Sequence, residues 1–100
     1  MDTSHHYDGW KAFIKLCHQI KAEEDLSLLL DLFLSLEEKE TIGKRLLIVQ
    51  ELMQQKLTQR EIAQKHHVSI SQITRGSNAL KMTPTTIKEV IKNDLHTHNK

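Results

Sequence analysis

Cysteine occurs once in the 100 residues, at Cys17, so no internal disulfide can form and the fold must be held by packing alone. Cys17 lies among Phe13, Ile14 and Ile20, a setting that suits a buried core thiol and not a nucleophile. Proline occurs once and glycine three times, and no segment alternates apolar and polar residues between turn dipeptides. Strands are therefore not expected anywhere, and the chain reads as all-α. No apolar run approaches the roughly 20 residues that span a bilayer. The richest segment, Leu26 to Leu36, is interrupted by Ser27, Asp31 and Ser35. Met1 to Tyr7 hold no Lys or Arg and no apolar core, which argues against a secretory leader and makes the cytoplasm the expected location. Internal repeats are missing too, and the length suits one domain over residues 1–100, not a two-lobed enzyme.

What is present is a mixture of 38% apolar and 27% charged residues, the composition of a chain that folds. Its net charge of +1 conceals an asymmetry: residues 1–55 carry 6 Lys and Arg against 10 Asp and Glu, and residues 56–100 carry 8 against 3. A basic second half points to a polyanionic partner on that side. The apolar residues Trp10, Phe13, Ile14, Cys17 and Ile20 recur at helical spacing and predict a first helix over about 8–22, ended by an acidic break at Glu23-Glu24-Asp25. From Leu26 to Phe33 apolar side chains would point in nearly every direction. A small monomer could hardly cover such a helix, so a second chain is expected to bury it.

Capping boxes predict three further starts, at Ser35-Leu36-Glu37-Glu38, Thr58-Gln59-Arg60-Glu61 and Ser69-Ile70-Ser71-Gln72. The first opens a long helix to about Gln55, with Ile42, Leu46, Val49, Leu52 and Met53 on its apolar side. Thr83 as cap, with Pro84 at the first helical position, opens the last helix, which should end near Asp94. Residues 1–7 and 96–100 read as frayed tails.

Because the caps at Thr58 and Ser69 lie eleven residues apart, the helix between them has only about two turns and the connection about three residues. This is the spacing of a helix-turn-helix, over about 58–80. Ile62, Val68 and Ile73 are placed to share its core, Ala63 allows two backbones to cross closely, and His67 occupies the turn where a positive φ is usual. In such a unit the second helix enters the major groove with its N-terminal residues, here Ile70, Ser71, Gln72 and Thr74, while Gln59 and Arg60 open the first helix. Arg60 could pair with guanine in bidentate fashion, and the short side chains leave space for bridging water. Solvated helix surface is the alternative for Ser71 and Thr74. Seven histidines show no metal-ligand arrangement, so neither a metal site nor catalysis is expected. A helical dimerisation adaptor would leave Arg60, Arg75 and the basic half unexplained.

The segment Ile73-Thr74-Arg75-Gly76-Ser77-Asn78, with Ile42-Gly43-Lys44-Arg45 and Leu57-Thr58-Gln59-Arg60-Glu61 upstream, closely resembles the Trp repressor family, over roughly residues 8–95. The resemblance implies six helices, an intertwined homodimer, L-tryptophan as corepressor and a palindromic double-stranded DNA operator. It also implies that Arg45 and Arg75 sandwich the indole, with Arg75 meeting the ligand carboxylate, two tasks for which planar guanidinium is suited. The carbonyls of Leu32 and Leu34, with Ser35 beside them, would receive the amino group across the dimer, and Gly76 would give the ring room. Two positions depart from the family pattern: Ala79 stands where Ser usually bonds the amino group, and Ala63 where Lys is frequent. A helix-turn-helix regulator with another ligand, or none, is the alternative function.

Replacing Leu29 or Leu32 by Asp is expected to abolish folding and dimerisation together, since the segment needs a second chain to cover it. Sedimentation of the unmodified protein should show no stable 11.6 kDa species at micromolar concentration.

Overall fold

The computed structural model describes residues 4–98, with side chains from residue 8 to residue 95. Six helices follow in order, and no strand occurs among the described residues: α1 (Ser4–Gln19), α2 (Glu23–Phe33), α3 (Leu36–Gln54), α4 (Gln59–His66), α5 (Ile70–Lys81) and α6 (Thr85–His98). They fall into two compact units, Met1–Glu37 and Glu38–Lys100.

In the first unit α1 begins at Ser4, inside the stretch read as a tail, and closes at Gln19, where the amide of Ile20 turns back onto the Cys17 carbonyl at 3.2 Å. The triplet Glu23-Glu24-Asp25 is not a break but the first turn of α2. The reason is electrostatic: Ala22 caps this helix with no side-chain bond, and three carboxylates at the positive end of the helix dipole take up that role. Phe13 of α1 stacks edge-on against Phe33 of α2, with ring centroids 5.3 Å apart, and lies 5.8 Å from Trp10. No residue of α2 is buried; Leu28, Leu32 and Phe33 are all exposed.

The second unit is built on α3, which starts directly after Ser35. Its core is small: Ile48, Ile62, Val68 and Ile73 are buried, with Leu52, Leu57 and Ala63 packed around them. Ile48 lies outside the single apolar side expected for α3. That helix carries two stripes about a third of a turn apart. Ile48, Glu51 and Leu52 face α4 and α5, while Ile42 and Leu46 stay exposed. α3 ends at Gln54, and Gln55, with φ 57°, turns its amide onto the Glu51 carbonyl.

Thr83 does not open α6 as expected. Its hydroxyl donates to the Ala79 carbonyl at 2.8 Å, beside the Met82 amide that the same carbonyl accepts at 3.1 Å, so it closes α5. The Pro84 carbonyl accepts the amides of Ile87 and Lys88, and α6 then runs to His98, beyond the expected end near Asp94.

One glycine decides how closely α5 can approach α3. Gly76 is buried, and a Cβ built there would lie 3.0 Å from Cγ2 of Ile48, itself 2% exposed. Gly76→Ala should therefore lower stability by about 1 kcal/mol, although in an open helix the same change would raise it by a similar amount. Urea unfolding of the two proteins measures the sign.

Candidate nucleic-acid interface

Two reciprocal caps set the frame of the α4–α5 unit. Thr58 Oγ1 accepts from the Glu61 amide at 3.2 Å, and Glu61 Oε1 accepts from the Thr58 amide at 2.9 Å. Ser69 Oγ accepts from the Gln72 amide at 3.1 Å, and Gln72 Oε1 accepts from the Ser69 amide at 2.8 Å. Each box satisfies two amides that a helix start would otherwise leave without partners. The bonds from Thr58 also hold the Glu61 carboxyl below the usual range. Between the boxes, α4 spans eight residues and ends at His67, whose φ of 55° and ψ of 49° are left-handed, as its place in the turn required. The amides of His67 and Val68 both reach the Ala63 carbonyl, so the chain reverses in three residues, 67 to 69.

This reversal clamps α4 against α5 through Ile62, Val68 and Ile73. With Ile73 and Gly76 turned inward, the opposite side of α5 faces outward: Ser71, Thr74, Arg75 and Asn78 are exposed, as is Ile70 at the helix start. Gln59 and Arg60 are exposed in the first turn of α4. The helix dipole disfavours a cation at that end, so helix stability does not account for Arg60. Gln72 differs from its neighbours. It is half-buried and its carbonyl is held by the cap. A bidentate contact to adenine needs both ends of the amide, and the cap occupies one of the two Oε1 lone pairs and sets the side chain's direction.

The residues assigned to a ligand are divided between the two units. Leu32, Leu34 and Ser35 belong to the first, where Leu32 is exposed and Leu34 leaves α2 with an extended backbone, its amide on the Leu30 carbonyl at 2.8 Å. Arg45, Arg75, Gly76 and Ala79 belong to the second. Arg45 lines an apolar groove of about 290 Å³ with Thr41, Ile42, Leu46, Val49 and Ile91. Arg75 and Ala79 are exposed one turn apart on α5. At Gly76 the missing side chain already has a structural reason in Ile48, whatever room it offers a ligand.

Sequence reading missed one polar residue entirely. Glu51 is 8% exposed, and its Oε2 lies 2.8 Å from Lys65 Nζ and 2.6 Å from His66 Nε2, so that α3 grips the last turn of α4 through a single carboxylate oxygen. The bond to Lys65 first, and that to His66 second, hold its carboxyl below the usual range against the opposing effect of burial. The available signal was positional: Glu51 stands three residues after Ile48 and directly before Leu52, on the inward stripe. His66 and His67 diverge as adjacent residues at a helix end must, the first half-buried against Glu51 and the second exposed. Among the described residues no three His, Cys, Asp or Glu side chains are grouped to hold a metal ion.

Because the folded state lowers the Glu51 carboxyl below its unfolded value, that group's contribution is fully present above the ordinary carboxylate range and is lost as pH falls towards the folded value. Glu51→Gln should flatten this acid limb and cost about 1–3 kcal/mol near neutral pH, measured as urea midpoints over a pH series.

Residues 8–95 match the family described as Trp repressor protein. A protein of Chlamydia caviae named Trp operon repressor homolog is 52% identical over 86 residues, covering 86% of this chain and 85% of its own length. A protein of the same name from Chlamydia trachomatis is 46% identical over 87 residues, covering 87% of this chain and 93% of its own. Another, from Histophilus somni, is 33% identical over 100 residues, covering 100% and 94%.

Proposed function

Since the chain belongs to the Trp repressor family, we propose that it is a tryptophan-responsive transcriptional repressor, a homodimer that binds a palindromic operator through two helix-turn-helix units when L-tryptophan is bound. The observation that carries this reading is the outward face of α5. Ile70, Ser71 and Thr74 stand exposed at the start of a helix anchored by two capping boxes and a buried seam of Ile62, Val68 and Ile73. Short side chains there let the helix enter the major groove deeply, with water filling the remaining gaps. Gln59 and Arg60, opening α4, reach the backbone or a base edge. The exposed apolar residues of α2 and α3 support the homodimer, since a second copy would remove them from water.

In this reading tryptophan wedges between Arg45 and Arg75, with its carboxylate on Arg75 and its amino group on the carbonyls of Leu32 and Leu34 beside Ser35 of the second copy. It acts by favouring the pose of α5 that fits DNA. Ala79 offers no hydroxyl to the amino group, which favours a second reading: a regulator of the same build with looser ligand selectivity or a different small molecule. The family is a regulatory one, and no catalysis is proposed. No helix among the described residues is long and apolar enough to cross a membrane, and a repressor of this kind would work in the cytoplasm, on DNA.

Calorimetric titration with L-tryptophan and with indole-3-propionate separates the two readings, because only the first requires strong preference for the amino acid. On DNA, the dimer should protect half-sites about one helical turn, roughly 34 Å, apart, a geometry for which Trp repressors are themselves among the reference examples. Arg60→Ala should cost about 1–3 kcal/mol on the operator and little on random DNA in a gel-shift assay. Equal losses on both would make Arg60 a phosphate contact.

A further inference from the structure

α3 and α4 meet at one polar point. Ile48, Ile62, Val68 and Ile73 hold α4 and α5 on α3 by apolar contact, whose close packing at Gly76 sets how near the helices lie but which is not directional in itself. Glu51 adds direction. Its Oε2 receives Lys65 and His66 together, at 2.8 and 2.6 Å, and both side chains belong to the last turn of α4, where the helix dipole favours positive charge. The adjacent cleft, about 340 Å³, is otherwise lined by Leu47, Gln50 and Gln54 of α3 and Leu95 of α6. Among the described residues, Glu51, Lys65 and His66 are thus the charged or titratable groups lining it.

The same α3 carries Arg45, six residues before Glu51 and about 9 Å away along the helix axis. A helix that bears a wall of the proposed corepressor pocket at one point and the attachment of the reading head at another can transmit a change of pose only if that attachment is directional. We propose that Glu51 is a positioning residue: through His66 and Lys65 it fixes the orientation of the α4–α5 head on α3, and the charge on His66 sets how firmly. The consequence for operator binding rests on the repressor reading above; the consequence for the head does not.

The test compares wild type, Glu51→Gln, His66→Gln and the double variant by amide hydrogen exchange, without DNA or tryptophan. The same four are then tested for operator binding at saturating tryptophan, at about pH 6 and about pH 8. In each single variant the amides of Ile62, Val68 and Ile73 should exchange faster, while those of α1 and α2 keep their wild-type rates. Operator affinity should fall about threefold to tenfold, the double variant should fall no further than either single one, and the wild-type gain at the lower pH, measured relative to random DNA, should vanish in Glu51→Gln. If Glu51→Gln fails to fold, Glu51→Leu combined with His66→Leu supplies an apolar replacement, which should restore stability without the pH response. Unchanged exchange in the head, additive losses, or a pH profile shared by wild type and variant would overturn the proposal. Should wild type itself show no preference for the operator, the repressor reading fails, and the exchange rates alone decide the role of Glu51.

Discussion

The close approach of α5 to α3 at Gly76 and Ile48 is the contact on which the rest of the second unit depends. With a glycine at the crossing, Ile48 reaches into the seam between α4 and α5 and joins Ile62, Val68 and Ile73 in one buried cluster. A larger residue would hold the helices apart, and four side chains offer little reserve against such a change. The orientation of the exposed face of α5 follows directly. Once Ile73 and Gly76 are turned inward, the 3.6-residue period puts Ser71, Thr74, Arg75 and Asn78 on the opposite side, and Ile70 is exposed at the helix start.

So small a core in a chain of 100 residues leaves much apolar surface unmatched. Leu28, Leu32 and Phe33 in the first unit, and Ile42, Leu46, Ile87 and Val90 in the second, all remain exposed. Large apolar groups in such numbers mark surfaces that other protein covers. α3 illustrates how one helix can serve two such purposes. Its inward stripe attaches the α4–α5 unit, while Ile42, Leu46 and Val49 line an open apolar groove. The proposed homodimer would occupy surfaces of this kind, in keeping with the expectation that the all-round apolar pattern from Leu26 to Phe33 raises.

Local chemistry determined by sequence alone covers the helix-turn-helix almost completely. Both capping boxes, the left-handed turn at His67 and the shared core of Ile62, Val68 and Ile73 were legible because each depends on residues within a few positions of one another. The all-helical class was legible from the scarcity of glycine and proline and from the lack of period-two alternation, and the family from short motifs at consistent spacing. Boundaries set by competition between neighbours were less so. The acidic triplet at 23–25 could have ended one helix or opened the next, and the electrostatics of a helix start chose the second. Thr83 could have capped α6 or closed α5, and its hydroxyl went to the Ala79 carbonyl.

Only the tertiary structure decided the inward stripe of α3, the reason for Gly76 and the partners of Glu51. Periodicity marks an apolar side but cannot rank two stripes on one helix, since it carries no information on which neighbour each will meet. Nor does any pattern link Glu51 to His66, fifteen positions away, because a buried carboxylate is stabilised by whichever cations folding brings to it. The sequence determined the helices and the residues that α4 and α5 expose. How those two helices are fastened to the rest of the unit follows from packing between segments distant in the chain, which no local rule encodes.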